Sequence, residues 1–166
     1  MSRLATAYVA LGANLGDPLA TIAAAIAALA DMPATRLLTA SSLYRTAPVG
    51  LKHQPDFINA VVALETGLTP QDLLEALFAI EAQFGRSRSV PNAPRTLDLD
   101  LLLYGDATLA APRLTLPHPR MHQRAFVLVP LLEIAPACGI PGLGPARDFL
   151  QACRDQSVAR ISHVAT

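Results

Sequence analysis

The sequence has no tryptophan, only 5% aromatic residues and a formal net charge of zero over 166 residues. A platform for single-stranded nucleic acid needs exposed aromatics in a basic field, so that class is disfavoured. Whole-molecule attraction to nucleic acid or to an anionic membrane is equally unsupported. No apolar run approaches a bilayer span, and the apolar part of "MSRLATAYVALGANLG" is too short for a signal sequence with a cleavage site. A cytoplasmic protein with no membrane and no nucleic-acid partner is expected. Cys138 and Cys153 form neither a CxxC pair nor a zinc-ligand spacing, which argues against a disulfide framework or a zinc site. A GxxxxGK[ST] loop is also missing: Lys52, the single lysine, is followed by His53. Any phosphate must be held by other groups.

What is present is a 52% hydrophobic chain of about one domain's length, taken as a single domain over 1–166. Strand and helix patterns alternate along it. "TAYVALGANLG" reads as a buried strand ending in a turn. In "GDPLATIAAAIAALAD", Asp17 is an N-cap, Pro18 takes the first helical position, and Leu19, Ile22, Ile26 and Leu29 form one stripe. Residues 35–45 and 56–66 read as strands, separated by the Pro- and Gly-bearing loop "TAPVGLKHQP". "LTPQDLLEALFAIEAQFG" repeats the helix grammar, with Thr69 and Asp72 as a capping box, Leu73, Leu77, Ile80 and Phe84 as the stripe, and Gly85 as the stop. A fourth strand follows in "PRTLDLDLLLYG". The order predicts an α+β fold with a ferredoxin-like βαββαβ core, an antiparallel sheet with helices on one face, and C-terminal additions that include a helix near 122–135.

The fourth strand contains two aspartates among leucines. By alternation Asp98 and Asp100 share one face, while Leu97, Leu99, Leu101 and Leu103 take the other, beneath the helices. The aspartates are then about 6.8 Å apart on the face this topology leaves uncovered. Two carboxylates that close suit a hard divalent cation such as Mg²⁺, and a pair of ions would fit between them. Neighbouring arginines forming structural ion pairs are the alternative.

The surroundings favour the anionic ligand. Arg86, Arg88, Arg95, Arg113, Arg120 and Arg124 lie between residues 86 and 124, and guanidinium forks neutralise the phosphate oxygens that a metal leaves uncovered. On the third strand Phe57 and Asn59 share a face, a ring for stacking beside an amide that donates and accepts, which suits a flat heterocycle. A half-exposed strand with a core phenylalanine would look the same. His118 and His122 are four apart, but Pro117 and Pro119 break the helix a metal pair would need.

Taken together, "LGANLG", "YRTAPVG", "QPDFINAVVALET", "PRTLDLDLLLYG" and "LTLPHPRMHQRAFVLVPLLEIAP" resemble the 6-hydroxymethyl-7,8-dihydropterin pyrophosphokinases of folate biosynthesis, over residues 7 to 136. The resemblance implies transfer of the terminal pyrophosphate of ATP to the hydroxymethyl group of 6-hydroxymethyl-7,8-dihydropterin, with release of AMP. It implies two Mg²⁺ ions on Asp98 and Asp100, with Arg86 and Arg95 completing the catalytic group. Arg86, Arg88, Arg95, Arg113, Thr115, His118 and Arg124 would bind ATP. Phe57 and Phe126 would sandwich the pterin, and Asn59 with Thr46, Ala47 and Val49 would read its polar edge. Glu81 matches an acidic family position, with an exposed helix residue as the alternative. Residues 45–55 and 86–94 are expected to act as lids, and "RSRSVPNAPR" departs from the family in having Pro91 and Asn92 where an aromatic or basic residue is common. A monomer is expected. A two-metal nuclease would share Asp98 and Asp100 without needing Phe57, Asn59 and Phe126 together, and a silent binder of pterin or nucleotide remains a rival.

Overall fold

The long central strand β1 (Ala5–Ala13) divides its side chains between two cores. Ala7, Val9, Leu11 and Ala13 enter one cluster, and Ala10 enters the other. In the computed structural model, which describes residues 4–47, 55–85 and 96–161, every other element is arranged about that division.

Helix α1 (Pro18–Ala30) begins as its sequence requires. The Asp17 carboxylate accepts the Ala20 amide at 3.2 Å, and Pro18 sits where an N–H would have no partner. Its buried positions are Ile22, Ala25 and Leu29, whereas Leu19 is 42% exposed. The expected stripe is thus rotated toward Ala25, whose small side chain lets the helix lie close to the sheet. The next stretch, expected as one strand over 35–45, is two: β2 (Thr35–Ala40) and β3 (Tyr44–Thr46). Both pair antiparallel with β4 (Phe57–Thr66). Ser41 makes the break, because its hydroxyl accepts the Val61 amide at 2.9 Å while its own amide donates to the Val61 carbonyl. A side chain has replaced a ladder carbonyl.

Helix α2 (Pro70–Gln83) is capped by Thr69, whose hydroxyl accepts the Asp72 amide at 3.1 Å, and is followed by Gly85 at φ +75°. Strand β5 (Asp98–Tyr104) then pairs antiparallel with β1. The spatial order β5-β1-β4-β3, with β2 also on β4, is the expected βαββαβ arrangement. Helices α1 and α2 cover one face, over Leu97, Leu99, Leu101, Ile58, Ala60 and Val62. Leu103 departs from the prediction. The β1–β5 register slips between Tyr8 and Val9, so that Leu102 is skipped and Leu102 and Leu103 both join the second core. A bulge of this kind resets the alternation beyond it.

After β5 come the hairpin β6 (Leu109–Ala111) and β7 (Leu114–Leu116), a 3₁₀ turn at Met121–Gln123, and helix α3 (Ala125–Ile134). The second face of the sheet is not wholly open, as the sequence alone suggested. Ala125, Val127, Leu128 and Leu131 of α3 pack onto Ala10, Val61, Leu102 and Leu103 there, since a helix this apolar must be buried. The tail forms the small ladder of β8 (Gly139–Ile140) and β9 (Gly144–Pro145), two 3₁₀ turns, and β10 (Val158–Arg160), which extends the main sheet by pairing with β3.

Candidate active site

The part of the second face that α3 leaves uncovered holds Phe57, Asn59, Asp98 and Asp100. Gly12 of β1 is registered opposite Asn59 of β4 on one side and opposite Asp98 of β5 on the other. One row over, Ala10 stands between Val61 and Asp100. Adjacent strands are about 4.8 Å apart, so Asn59 and Asp98 project from the same face with their backbones about 10 Å apart. Gly12 is the floor between them. A Cβ there would stand 3.1 Å from Asn59 Nδ2 and 3.8 Å from the Phe57 ring. The absence of a side chain is therefore what lets the amide and the ring lie across β1. Gly12→Ala should displace Asn59 by a few tenths of an ångström and, in steady-state kinetics, raise KM about tenfold for the ligand that lies against Asn59, with KM unchanged for a ligand held at the acidic pair.

Asn59 is held in one orientation. The Thr46 hydroxyl donates to its Oδ1 at 2.6 Å in a buried contact, which directs Nδ2 over Gly12 as a donor for a ligand. Thr46 and Asn59 are both buried, Phe57 is half-buried, and Ala47 is exposed just beyond β3. Asn14, which sequence reasoning passed over inside "LGANLG", is also buried and donates to the Pro55 carbonyl at 3.0 Å. It ties the end of β1 to the approach to β4.

Asp98 and Asp100 are half-buried and point away from α1 and α2, as the alternation predicts. Among the described residues no group of three or more His, Cys, Asp or Glu side chains could hold a metal. The two carboxylates fit a site that leaves most of the ion's coordination to substrate oxygens and water, which is the habit of Mg²⁺. Glu81 is not an exposed helix residue. It is 2% exposed, and its Oε2 accepts the Leu99 amide at 2.7 Å. β5 is the edge of the sheet, so this carboxylate satisfies an outward N–H on the residue between the two aspartates and holds the strand that bears them. No pattern in the sequence distinguishes that carboxylate from a surface glutamate, because α2 and β5 meet only in the fold.

His118 is tied to β5, the strand that bears the aspartates. Its amide donates to the Leu102 carbonyl at 2.9 Å, and its Nδ1 accepts the Arg120 amide at 3.1 Å. The proton of the neutral ring therefore sits on Nε2. Burial first, then the charges of Arg124 and Arg120, bring its pKa down to about 4 against the opposing pull of Asp98. The imidazole is thus a neutral Nε2–H donor at neutral pH. Because the folded pKa lies below the unfolded one, its contribution to stability is complete above pH 6.5 and is lost as the pH falls toward 4. The slope has a ceiling of about 1.4 kcal/mol per pH unit, reduced by partial exposure. Urea midpoints at pH 7 and pH 5 should therefore differ less in His118→Gln than in the wild-type chain.

Arg124 stacks its guanidinium over the half-buried Phe126 ring at 5.6 Å and shares the field around His118. Asp98, His118, Arg124 and Phe126 are thereby gathered at one end of α3. Arg113 is engaged elsewhere. It pairs with Glu75 at 3.0 Å and lies over the Phe78 ring at 5.4 Å, both on α2. Thr115 is exposed on β7. Arg86, Arg88, Arg95 and Val49 lie outside the described residues, as do residues 48–54 of the first expected lid and the whole of the second, including Pro91 and Asn92.

Comparison with known proteins gives this geometry its family. The family model for 7,8-dihydro-6-hydroxymethylpterin-pyrophosphokinase (HPPK) matches residues 8–136. The chain is 47% identical over 154 residues to the 2-amino-4-hydroxy-6-hydroxymethyldihydropteridine pyrophosphokinase of Pseudomonas aeruginosa, covering 93% of this chain and 95% of that protein. It is 42% identical over 157 residues to the enzyme of the same name from Haemophilus influenzae, covering 95% and 98%. In fold it is similar to the wild-type Plasmodium falciparum HPPK-DHPS crystal structure, with a TM-score of 0.71 at 14% identity, over 92% of this chain and 45% of that one. The chain belongs to the 7,8-dihydro-6-hydroxymethylpterin-pyrophosphokinase family.

Proposed function

We propose that the open half of the sheet's second face is where this chain performs the reaction of its family, transfer of pyrophosphate from ATP to the hydroxymethyl group of 6-hydroxymethyl-7,8-dihydropterin in folate biosynthesis. The observation that carries this reading is the cross-strand row Asn59, Gly12, Asp98. It sets an edge-reading amide and an acidic pair on one floor, far enough apart for a heterocycle at one end and a polyphosphate at the other.

In this reading the pterin lies between Phe57 and Phe126, with Asn59 Nδ2 donating to its polar edge. Thr46 fixes that amide, and the family resemblance implies backbone contributions from Ala47 and Val49 to the same edge. Asp98 and Asp100 would hold Mg²⁺, two ions in the full complex, and the metal when bound would neutralise phosphate charge and template the transfer. His118 donates Nε2–H toward the nucleotide side without adding charge. Arg124 lends positive charge there, and Arg86, Arg88, Arg95, Arg113 and Thr115 complete the ATP-binding set that the family resemblance implies. Little acid–base chemistry is asked of the protein, because this class of transfer depends on alignment and charge neutralisation. The enzyme is read as a cytoplasmic monomer acting on two small diffusible substrates.

Incubation with ATP, Mg²⁺ and the hydroxymethyl pterin should yield AMP and the pterin diphosphate in equal amounts. ADP formation, or pterin binding without AMP, would overturn the reading. Hydrolysis of nucleic acid under the same conditions would favour a two-metal nuclease instead.

A further inference from the structure

We propose that Glu133, near the end of α3, is a positioning residue for the pterin side of the site, a role that rests on the pyrophosphokinase reading above. An acidic side chain in the last turn of a helix stands in the unfavourable field of the carbonyl ends. This one is compensated by three hydrogen-bond donors from residues 42 and 44, on the face of the sheet that α3 covers, and by one cation. Its Oε1 accepts the Ser42 amide at 2.9 Å and the Tyr44 hydroxyl at 2.6 Å, and its Oε2 accepts the Ser42 hydroxyl at 2.7 Å. Arg160 of β10 stands 3.9 Å from Oε2. Short bonds to an ionised acceptor are the stronger kind and are directional.

The residues so joined lead straight to the pterin plate. Tyr44 is 5% exposed and registered opposite Asn59, and two residues on, Thr46 donates to Asn59 Oδ1 and is registered opposite Phe57. Phe126 lies seven residues before Glu133 on α3, about 10.5 Å along the axis. Against the strands the rest of the α3 interface is apolar, through Val127, Leu128 and Leu131, while the Ala125 amide donates to Gln156 Oε1 at 2.9 Å and so ties the start of the helix to the tail, not to the sheet. Dispersion contacts of that kind resist separation better than they resist sliding or rotation. The carboxylate supplies the missing registration, setting α3, and with it Phe126, against the strand that orients Asn59. The gap between the two rings and the amide beneath them are thereby adjusted by one side chain that touches neither substrate.

The test compares Glu133→Ala, Glu133→Gln and Tyr44→Phe in the full chain. The measurements are direct binding of the hydroxymethyl pterin by fluorescence and KM for both substrates. Glu133→Ala should weaken pterin binding about tenfold and raise its KM in step, with KM for ATP within about twofold. Glu133→Gln should lie within about threefold of wild type, since the amide can place its oxygen on the Ser42 N–H and Tyr44 O–H and its NH₂ on the Ser42 hydroxyl. Tyr44→Phe should show the same split at smaller amplitude, and it decides the matter if Glu133→Ala does not fold. Equal loss of affinity for both substrates, or pterin binding within twofold of wild type in both Glu133→Ala and Tyr44→Phe, overturns the inference. Absence of pterin binding by the wild-type chain would instead remove the pyrophosphokinase reading itself.

Discussion

Replacing Asp98 and Asp100 together with asparagine should lower kcat/KM by about a thousandfold or more while the fold persists. Each substitution keeps the shape and removes a charge. Loss of one preorganised electrostatic contact in the transition state typically costs about 10²- to 10³-fold, and in the proposed reading both carboxylates serve the same charge. Both side chains lie on the face opposite α1 and α2 and are only half-buried, so the apolar core is untouched. Relief of repulsion between them offsets part of whatever contacts they lose, and the urea midpoint should move by no more than about 1 kcal/mol of stability. Pterin affinity measured without ATP should be unchanged, because Asn59 is two strands away. Turnover within tenfold of wild type would contradict the assignment of the acidic pair. A single asparagine at either position tests whether the pair acts as a unit: if it does, either replacement alone costs nearly as much as both.

The second large effect is expected at Asn59. Asn59→Leu preserves approximate size but removes the donor that Thr46 aims over Gly12, and it leaves the Thr46 hydroxyl without its acceptor. A site built to hydrogen-bond its ligand discriminates strongly when one partner is removed, at about 1–3 kcal/mol for each unmet buried group. KM for the pterin should rise about 30- to 100-fold, with KM for ATP within about threefold. Thr46→Val should reproduce part of this, about tenfold, because it frees the amide to rotate without removing it. Thr46→Val added to Asn59→Leu should then have little further effect on pterin KM, since the hydroxyl acts only through the amide it orients. Additive losses in that double-mutant cycle would show that Thr46 contacts the pterin independently.

Both predictions rest on features that were legible to different degrees. The acidic pair could be read from alternation alone, because side chains two apart in a strand share a face whatever the strand pairs with. The caps at Asp17 and Thr69 were readable for a similar reason, each being a contact spanning three residues. Leu103 was misplaced because the bulge lies in the pairing of β5 with β1 and leaves no mark on either strand taken singly. The division of residues 35–45 into two strands depends on Ser41 reaching Val61, twenty residues away. Arg113 carries a family-based expectation of ATP contact, yet its guanidinium is engaged by Glu75 and Phe78 of α2. The tail beyond Ala135, unassigned from its pattern, becomes an edge strand only because β3 offers it an unpaired ladder.

What the sequence determined by itself is local: where two helices begin and end, which strand carries paired acids, and which motifs in which order mark the family. Tertiary structure alone decided that Gly12 stands between Asn59 and Asp98, that Glu81 holds the Leu99 amide, and that Glu133 anchors α3 to Ser42 and Tyr44. The physical reason is range. Alternation and capping act over two to four residues, whereas cross-strand register and the burial of a carboxylate against a strand amide are set by segments that meet only when the whole sheet has closed.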